Sequence, residues 1–219
     1  MNYLVIDLEM CKVPKEYRTK YRYATEIIEI GAVLLDDEFQ VIATQKQYVK
    51  PQYGVIDRFI MDLTGIKNGQ VKHAPKFGQA IAYLLDWIGD REYQILAWSE
   101  NDRNQLMREL QKKMESTEQI STFMAPERWI NYQATFSQRF QFTRPVGLEE
   151  ALLLCEIEPA GRQHDGLDDA INTAKIIEKL ENHPEYQLLE EAKLSCDLEK
   201  EPLNFSLGSL FANLDLHIA

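Results

Sequence analysis

Cysteine is scarce. Cys11, Cys155 and Cys196 are the only three in the chain; they are odd in number, widely spaced and never paired as CxxC, which leaves no basis for a disulfide framework or a thiolate zinc site. A reducing, cytoplasmic setting is the expectation that follows. Long apolar runs are missing too: no stretch approaches the ~20 residues of a membrane span, so no membrane partner is expected. The opening Met1-Asn2-Tyr3-Leu4-Val5-Ile6 meets Asp7 at once, without the basic region and cleavage site expected of a secretory leader. Positive charge is in deficit, with 24 Lys and Arg against 35 Asp and Glu and a net charge of -11. That balance opposes broad attraction to nucleic acid or anionic membrane. It does not exclude chemistry on nucleic acids, because an acidic cluster that holds divalent cations meets phosphate through the metal. Internal repeats and low-complexity segments are also absent.

What is present is the raw material of a folded core. The chain has 219 residues, 45% hydrophobic and 27% charged, enough for one domain with an appendage. Asn2 to Leu8 is a near-continuous apolar run, with Leu4, Ile6 and Leu8 on one face and Tyr3 and Val5 on the other, as in a central strand buried on both sides. Thr25 to Leu35 and Phe39 to Val49, joined through Asp36-Asp37-Glu38 and anchored in the second strand by Val41 and Tyr48, predict an antiparallel hairpin. A short helix is predicted over Ile56 to Leu63, ahead of a Lys/Asn/Gly loop, and a longer helix over Pro75 to Ile88. Tyr93 to Trp98 and Trp129 to Tyr132 predict short strands. Further helices are predicted from Asp102, at Thr135 to Phe140, at Leu148 to Cys155 and at Gly166 to Leu180. Three antiparallel strands followed by alternating helices and strands make a mixed α/β sheet flanked by helices. Residues 1–183 form this unit. Residues 184–219 are a C-terminal extension, helical over Glu185 to Leu194, which either packs on the domain, contacts a protein partner or is loosely ordered.

Several polar groups stand out against this frame. Asp7 and Glu9 share a strand face, because side chains two apart point the same way. At 4 Å two such charges repel by about 1–4 kcal/mol, depending on the dielectric; either both are solvated, or a cation reverses the cost. Cys11 to Tyr23 is a loop carrying Lys12, Lys15, Arg18, Lys20 and Arg22 among Tyr17, Tyr21 and Tyr23. It is either a solvated loop or a grip for phosphates and bases. Asp102 stands at a strand-to-helix junction, where a plain N-cap is the competing explanation. His164 precedes Asp169 by five residues in a polar loop that enters a helix, and alone it could simply pack there.

Taken together these segments resemble the three motifs of DEDDh 3′-to-5′ exonucleases. Asp7-Leu8-Glu9, Asp102 within Trp98 to Leu106, and His164 with Asp169 occur in the family's order and contexts. Glu26-Ile27-Ile28-Glu29-Ile30-Gly31, Leu63-Thr64-Gly65-Ile66 and Asp168-Asp169-Ala170 are similar to the Eri-type branch, over residues 2 to 181. The resemblance implies an RNase H-like mixed five-stranded sheet, three strands antiparallel and then parallel ones, flanked by helices. It implies a hydrolase that removes nucleoside 5′-monophosphates from single-stranded RNA or DNA 3′ ends, RNA in preference. Asp7, Glu9, Asp102 and Asp169 would gather two Mg²⁺ or Mn²⁺ ions, hard cations suited to carboxylate oxygens. Glu9 and His164 would be catalytic, His164 as general base. Glu9, Met10, Leu63 and His164 would meet the terminal nucleotide, Leu63 as a wedge against its base. Family spacing selects Asp169 over Asp168, leaving Asp165 and Asp168 to capping and surface electrostatics. Met10 departs from the pattern, since relatives carry a small residue or Thr there, and its long side chain is expected to reshape the nucleotide pocket. The rivals are a non-catalytic nucleic-acid-binding or regulatory module on the same fold, and a proofreading partner of a polymerase.

Overall fold

The computed structural model describes residues 1–21 and 23–188. In chain order, the first half comprises β1 (Asn2–Lys12), α1 (Lys15–Tyr21), β2 (Thr25–Leu35), β3 (Val41–Tyr48), α2 (Arg58–Thr64), α3 (Asn68–Lys72) and α4 (Phe77–Ile88). The second half comprises β4 (Tyr93–Ala97), α5 (Glu100–Lys113), α6 (Glu118–Phe123), β5 (Trp129–Asn131), α7 (Tyr132–Phe140), α8 (Leu148–Leu154) and α9 (Gly166–Asn182). The strands form a five-stranded sheet in the order β3-β2-β1-β4-β5. β1, β2 and β3 are antiparallel neighbours, whereas β4 runs parallel to β1 and β5 parallel to β4. This is the RNase H-like mixed sheet, and β1 is its central strand.

Alternation along β1 divides the core. Leu4, Ile6, Leu8 and Met10 pack with residues of α4, α5 and α6, while Val5 joins the cluster of α7, α8 and α9. A third cluster, with Cys11, Ile28, Ile60 and Val71, lies under α2 and α3. Each fully buried aliphatic such as Leu4 or Ile6 contributes about 2 kcal/mol. Asp7 and Glu9 follow Val5 along the strand, so the acidic pair points to the α9 side of the sheet.

One close approach sets the position of α9. A Cβ on Gly31 would lie 2.1 Å from the carbonyl carbon and oxygen of Gly166, so only glycine lets the helix start press onto β2. A Cβ on Gly166 would in turn sit 3.3 Å from the Asp7 carbonyl oxygen and 3.1 Å from Glu29 Oε1. The first turn of α9, with Asp168 and Asp169, is thereby delivered to the middle of β1.

Several local expectations need correction. β1 runs four residues past Leu8, with Cys11 paired to Glu26 and Lys12 to Thr25; Asp7 and Glu9 are therefore inside the strand, not at its end. The register shifts between Glu9 and Met10. The predicted loop from Cys11 is the end of this strand followed by α1, because buried pairing with β2 outweighs the polar composition. Val41 is 51% exposed rather than an anchor, since β3 is an edge strand, and Val49 is buried instead. α3 occupies the predicted Lys/Asn/Gly loop, and α6 was not anticipated. Ser99, not Asp102, caps α5, accepting a bond from the Asn101 N–H at 3.2 Å.

Of the helix predicted over Glu185 to Leu194, the described part is a turn followed by irregular chain, and the remainder lies outside the described residues, as does Cys196. Tyr186 and Leu188 pack on the α9 cluster, and Arg139 donates to the carbonyls of Leu180, His183 and Pro184. The first residues of the extension therefore lie against the domain. No described helix is long and apolar enough to cross a membrane.

Candidate active site

β1, the first turn of α5, the loop ahead of α9 and the first turn of α9 converge on one cleft of about 280 Å³. Asp7, Glu9, Met10, Asp102, His164 and Asp169 all line it. Leu63 does not; it lies in the last turn of α2 outside the cleft lining, half-buried against the third core cluster. Ligand atoms of Glu9, His164 and Asp169 lie within 4.8 Å of one another.

Each group is held by its own local geometry. Asp102 Oδ1 accepts the Leu8 N–H at 3.2 Å, a bond that ties α5 to β1 between the two strand carboxylates. Its burial follows from that contact, so capping is not its role. His164 adopts a left-handed backbone, φ 59°, and its N–H donates to Asp169 Oδ2 at 2.9 Å. Asp169 thus fixes the histidine's loop while facing the cleft. The neighbouring acids have other partners: Asp168 Oδ2 accepts the Arg162 N–H at 2.7 Å, and Asp165 caps α9 and ion-pairs with Lys46. Met10 is buried, with its side chain in the α4–α6 core cluster; it borders the cleft rather than filling it.

Burial and mutual repulsion disfavour charge on this cluster. Burial first, then the charges of Asp102, Asp169, Glu9 and Glu29, raises the Asp7 carboxyl well above the usual range. Glu9 is raised by burial and then by Asp169, Glu29, Asp102 and Asp165. Burial pushes Asp102 and Asp169 each up to about 7. His164 moves the other way, lowered by burial and then by the Arg162 charge, which keeps its imidazole neutral near pH 7.

Glu29 is a buried neighbour of the acidic cluster to which sequence reasoning gave no separate role. It sits opposite Glu9 in the β1–β2 register, is fully buried, and lies 3.5 Å from Lys46 Nζ. Burial and then Asp165 raise its carboxyl to about 7. The available signal was a glutamate within an otherwise apolar strand, Ile27 to Leu35. The cleft also takes a wall from Trp98, Gln133, Pro145 and Leu148. Trp98 Nε1 and Gln133 Nε2 both donate to the Val146 carbonyl, at 3.1 and 2.7 Å, which fixes that wall.

The donor set suits a hard divalent cation. All four acids offer carboxylate oxygens, and Glu9 Oε2 is buried without a hydrogen-bond partner, a costly state that a bound cation would relieve. Stability should report this. Asp102, Asp169 and Glu29 rise from ordinary values of 3.8, 3.8 and 4.5 to about 7. Between those limits the folded state keeps protons that the unfolded chain has released, so stability falls as pH rises from about 4 to about 7. In EDTA the protein is expected to melt roughly 5 °C higher at pH 5 than at pH 7.5. Mg²⁺ or Mn²⁺ should raise the melting temperature at pH 7.5 and do little at pH 5. Equal responses to metal at both pH values would contradict this reading.

A five-stranded RNase H-like sheet with two carboxylates on its central strand, a third in the first turn of α5 and a His–Asp pair at the start of α9 defines the DEDDh class. The model of the Exonuclease family matches residues 4–177, and the chain belongs to that family, in its Eri-type branch, whose chemistry depends on divalent metal. Among its relatives, ERI1 exoribonuclease 2 of Homo sapiens is 30% identical over 184 residues, covering 74% of this chain and 26% of that protein. The 3′-5′ exoribonuclease 1 of Rattus norvegicus is 29% identical over 167 residues, covering 71% and 46%. The crystallographic structure of the nuclease domain of 3′hExo, a DEDDh family member bound to rAMP, matches with a TM-score of 0.69 at 24% identity, covering 86% of this chain and 96% of that one. The chain spans between about a quarter and a half of the length of these two curated relatives.

Proposed function

We propose that the protein is a 3′-to-5′ exonuclease that hydrolyses the last phosphodiester of a single-stranded 3′ end and releases a nucleoside 5′-monophosphate, acting on RNA in preference to DNA. The observation that carries the reading is the meeting of Glu9, His164 and Asp169 within 4.8 Å in a cleft that Asp7 and Asp102 also line. The names of the relatives, exoribonucleases, favour RNA. Asp7, Glu9, Asp102 and Asp169 would hold two Mg²⁺ or Mn²⁺ ions. Such ions supply charge neutralisation and Lewis acidity at the phosphoryl group.

The chain's own residues account for the rest. His164, neutral near pH 7, accepts a proton from the attacking water as its oxygen bonds to phosphorus. The bond to the 3′-oxygen breaks, and that oxygen takes up a proton from solvent water to become the new 3′-hydroxyl of the shortened strand, while His164 returns its proton to solvent. Glu9 holds the reacting end beside the histidine. Trp98, Pro145 and Leu148 offer an apolar wall to the terminal base, and the Met10 amide completes the nucleotide's surroundings. A cytoplasmic setting suits the free, buried thiols of Cys11 and Cys155.

The deciding experiment is a time course on matched 5′-labelled RNA and DNA, single- and double-stranded, with Mg²⁺, Mn²⁺ or EDTA. A metal-dependent ladder receding from the 3′ end, faster on single-stranded RNA, is the expected result. Intact oligonucleotides under every condition would overturn the reading in favour of a non-catalytic module.

A further inference from the structure

Arg162 connects two segments that lie 100 residues apart in the chain. Its Nη2 donates to the carbonyl oxygens of Asp62 at 2.6 Å and Leu63 at 3.1 Å. These carbonyls belong to the last turn of α2, where helix geometry provides no partner, and a cation there meets the negative end of the helix dipole. Gly65 leaves the guanidinium its place: the residue is left-handed at φ 75°, and a Cβ there would fall 2.0 Å from Arg162 Nη1. The backbone of Arg162 is pinned elsewhere, through its N–H to Asp168. Two residues on, His164 is pinned through its N–H to Asp169. The histidine's loop is thus fastened to α9 by its backbone and to α2 by one side chain.

We propose that Arg162 is a positioning residue that straps the His164 loop to the Leu63 end of α2, holding the histidine in place at the edge of the cleft. The catalytic part of this proposal rests on the exonuclease reading, whereas the strap itself does not. Asp165, Asp168 and Asp169 all lie on the α9 side, so without Arg162 nothing in this set of contacts ties the loop to α2. The side chain is exposed, and removing an exposed ion or hydrogen bond changes global stability little. Its effect therefore falls on local geometry, where a displacement of about 1 Å costs an enzyme about 100-fold in rate.

The test uses Arg162→Ala and Arg162→Lys in the full chain, with two readouts. Hydrogen exchange of Arg162→Ala should speed up at residues 62–66 and 161–165 together and nowhere else, with a melting temperature within about 2 °C of the parent. On labelled RNA with Mg²⁺, its kcat should fall about 10- to 100-fold while KM changes less than about threefold. Millimolar guanidinium ion should return part of the rate to Arg162→Ala, and Arg162→Lys should recover only part, because an ammonium lacks the planar fork. Unchanged exchange in either segment, or an unchanged kcat, would overturn the proposal. If the parent protein shortens no oligonucleotide while the exchange changes appear, the strap stands and the exonuclease reading falls.

Discussion

Asp7→Asn is expected to stop turnover, lowering kcat by about 10³-fold or more, the several kcal/mol that metal-borne charge neutralisation contributes. Asp7 is central to the cluster: Asp102, Asp169, Glu9 and Glu29 all raise its carboxyl, after burial. Asparagine keeps the shape and removes the charge. The same substitution should therefore stabilise the metal-free protein at pH 7.5, raising its melting temperature, and should blunt the rise on adding Mg²⁺. Loss of activity with gain of stability separates a cation-holding carboxylate from a structural one, whose removal costs both. A variant that turns over at the parent rate would remove Asp7 from the chemistry.

The second large effect concerns His164. Its backbone is left-handed, a conformation that asparagine tolerates better than alanine, so His164→Asn is the variant that keeps the loop. Its kcat is expected to fall about 10²- to 10⁴-fold, the range of a lost general base, with little change in melting temperature. In the parent, the acid limb of kcat against pH should lie below the ordinary imidazole value of about 6.5, because burial and then Arg162 both lower His164. Activity is lost as the imidazole takes up a proton on the acid side of that limb. The limb should vanish in His164→Asn. If it persists unmoved, another group is the base.

Much of the fold was legible because its signals are local. The apolar runs of β1 and β2, the helical periodicity of α4 and α9, and the short strands around Trp98 and Trp129 each follow from a few neighbouring residues. The catalytic candidates were legible as a set, through the order and contexts of the family's motifs, with strand alternation placing only Asp7 and Glu9 on one face. Taken singly they were ambiguous. A carboxylate at a helix start looks the same as cap or ligand until a distant strand supplies its partner, as the Leu8 N–H does for Asp102.

What the sequence by itself determined, then, is the mixed sheet and the order of its strands, since hydrophobic periodicity is a property of the chain, while the acidic residues stood out as candidates through the family's motifs. Tertiary structure alone decided that β1 continues to Lys12, that Glu29 stands opposite Glu9, that Met10 turns into the core and that Arg162 reaches α2. The physical reason is that each of these depends on partners far along the chain. Register between strands, the close approach of Gly31 to Gly166 and the carbonyls left open at the end of α2 exist only after the domain has closed.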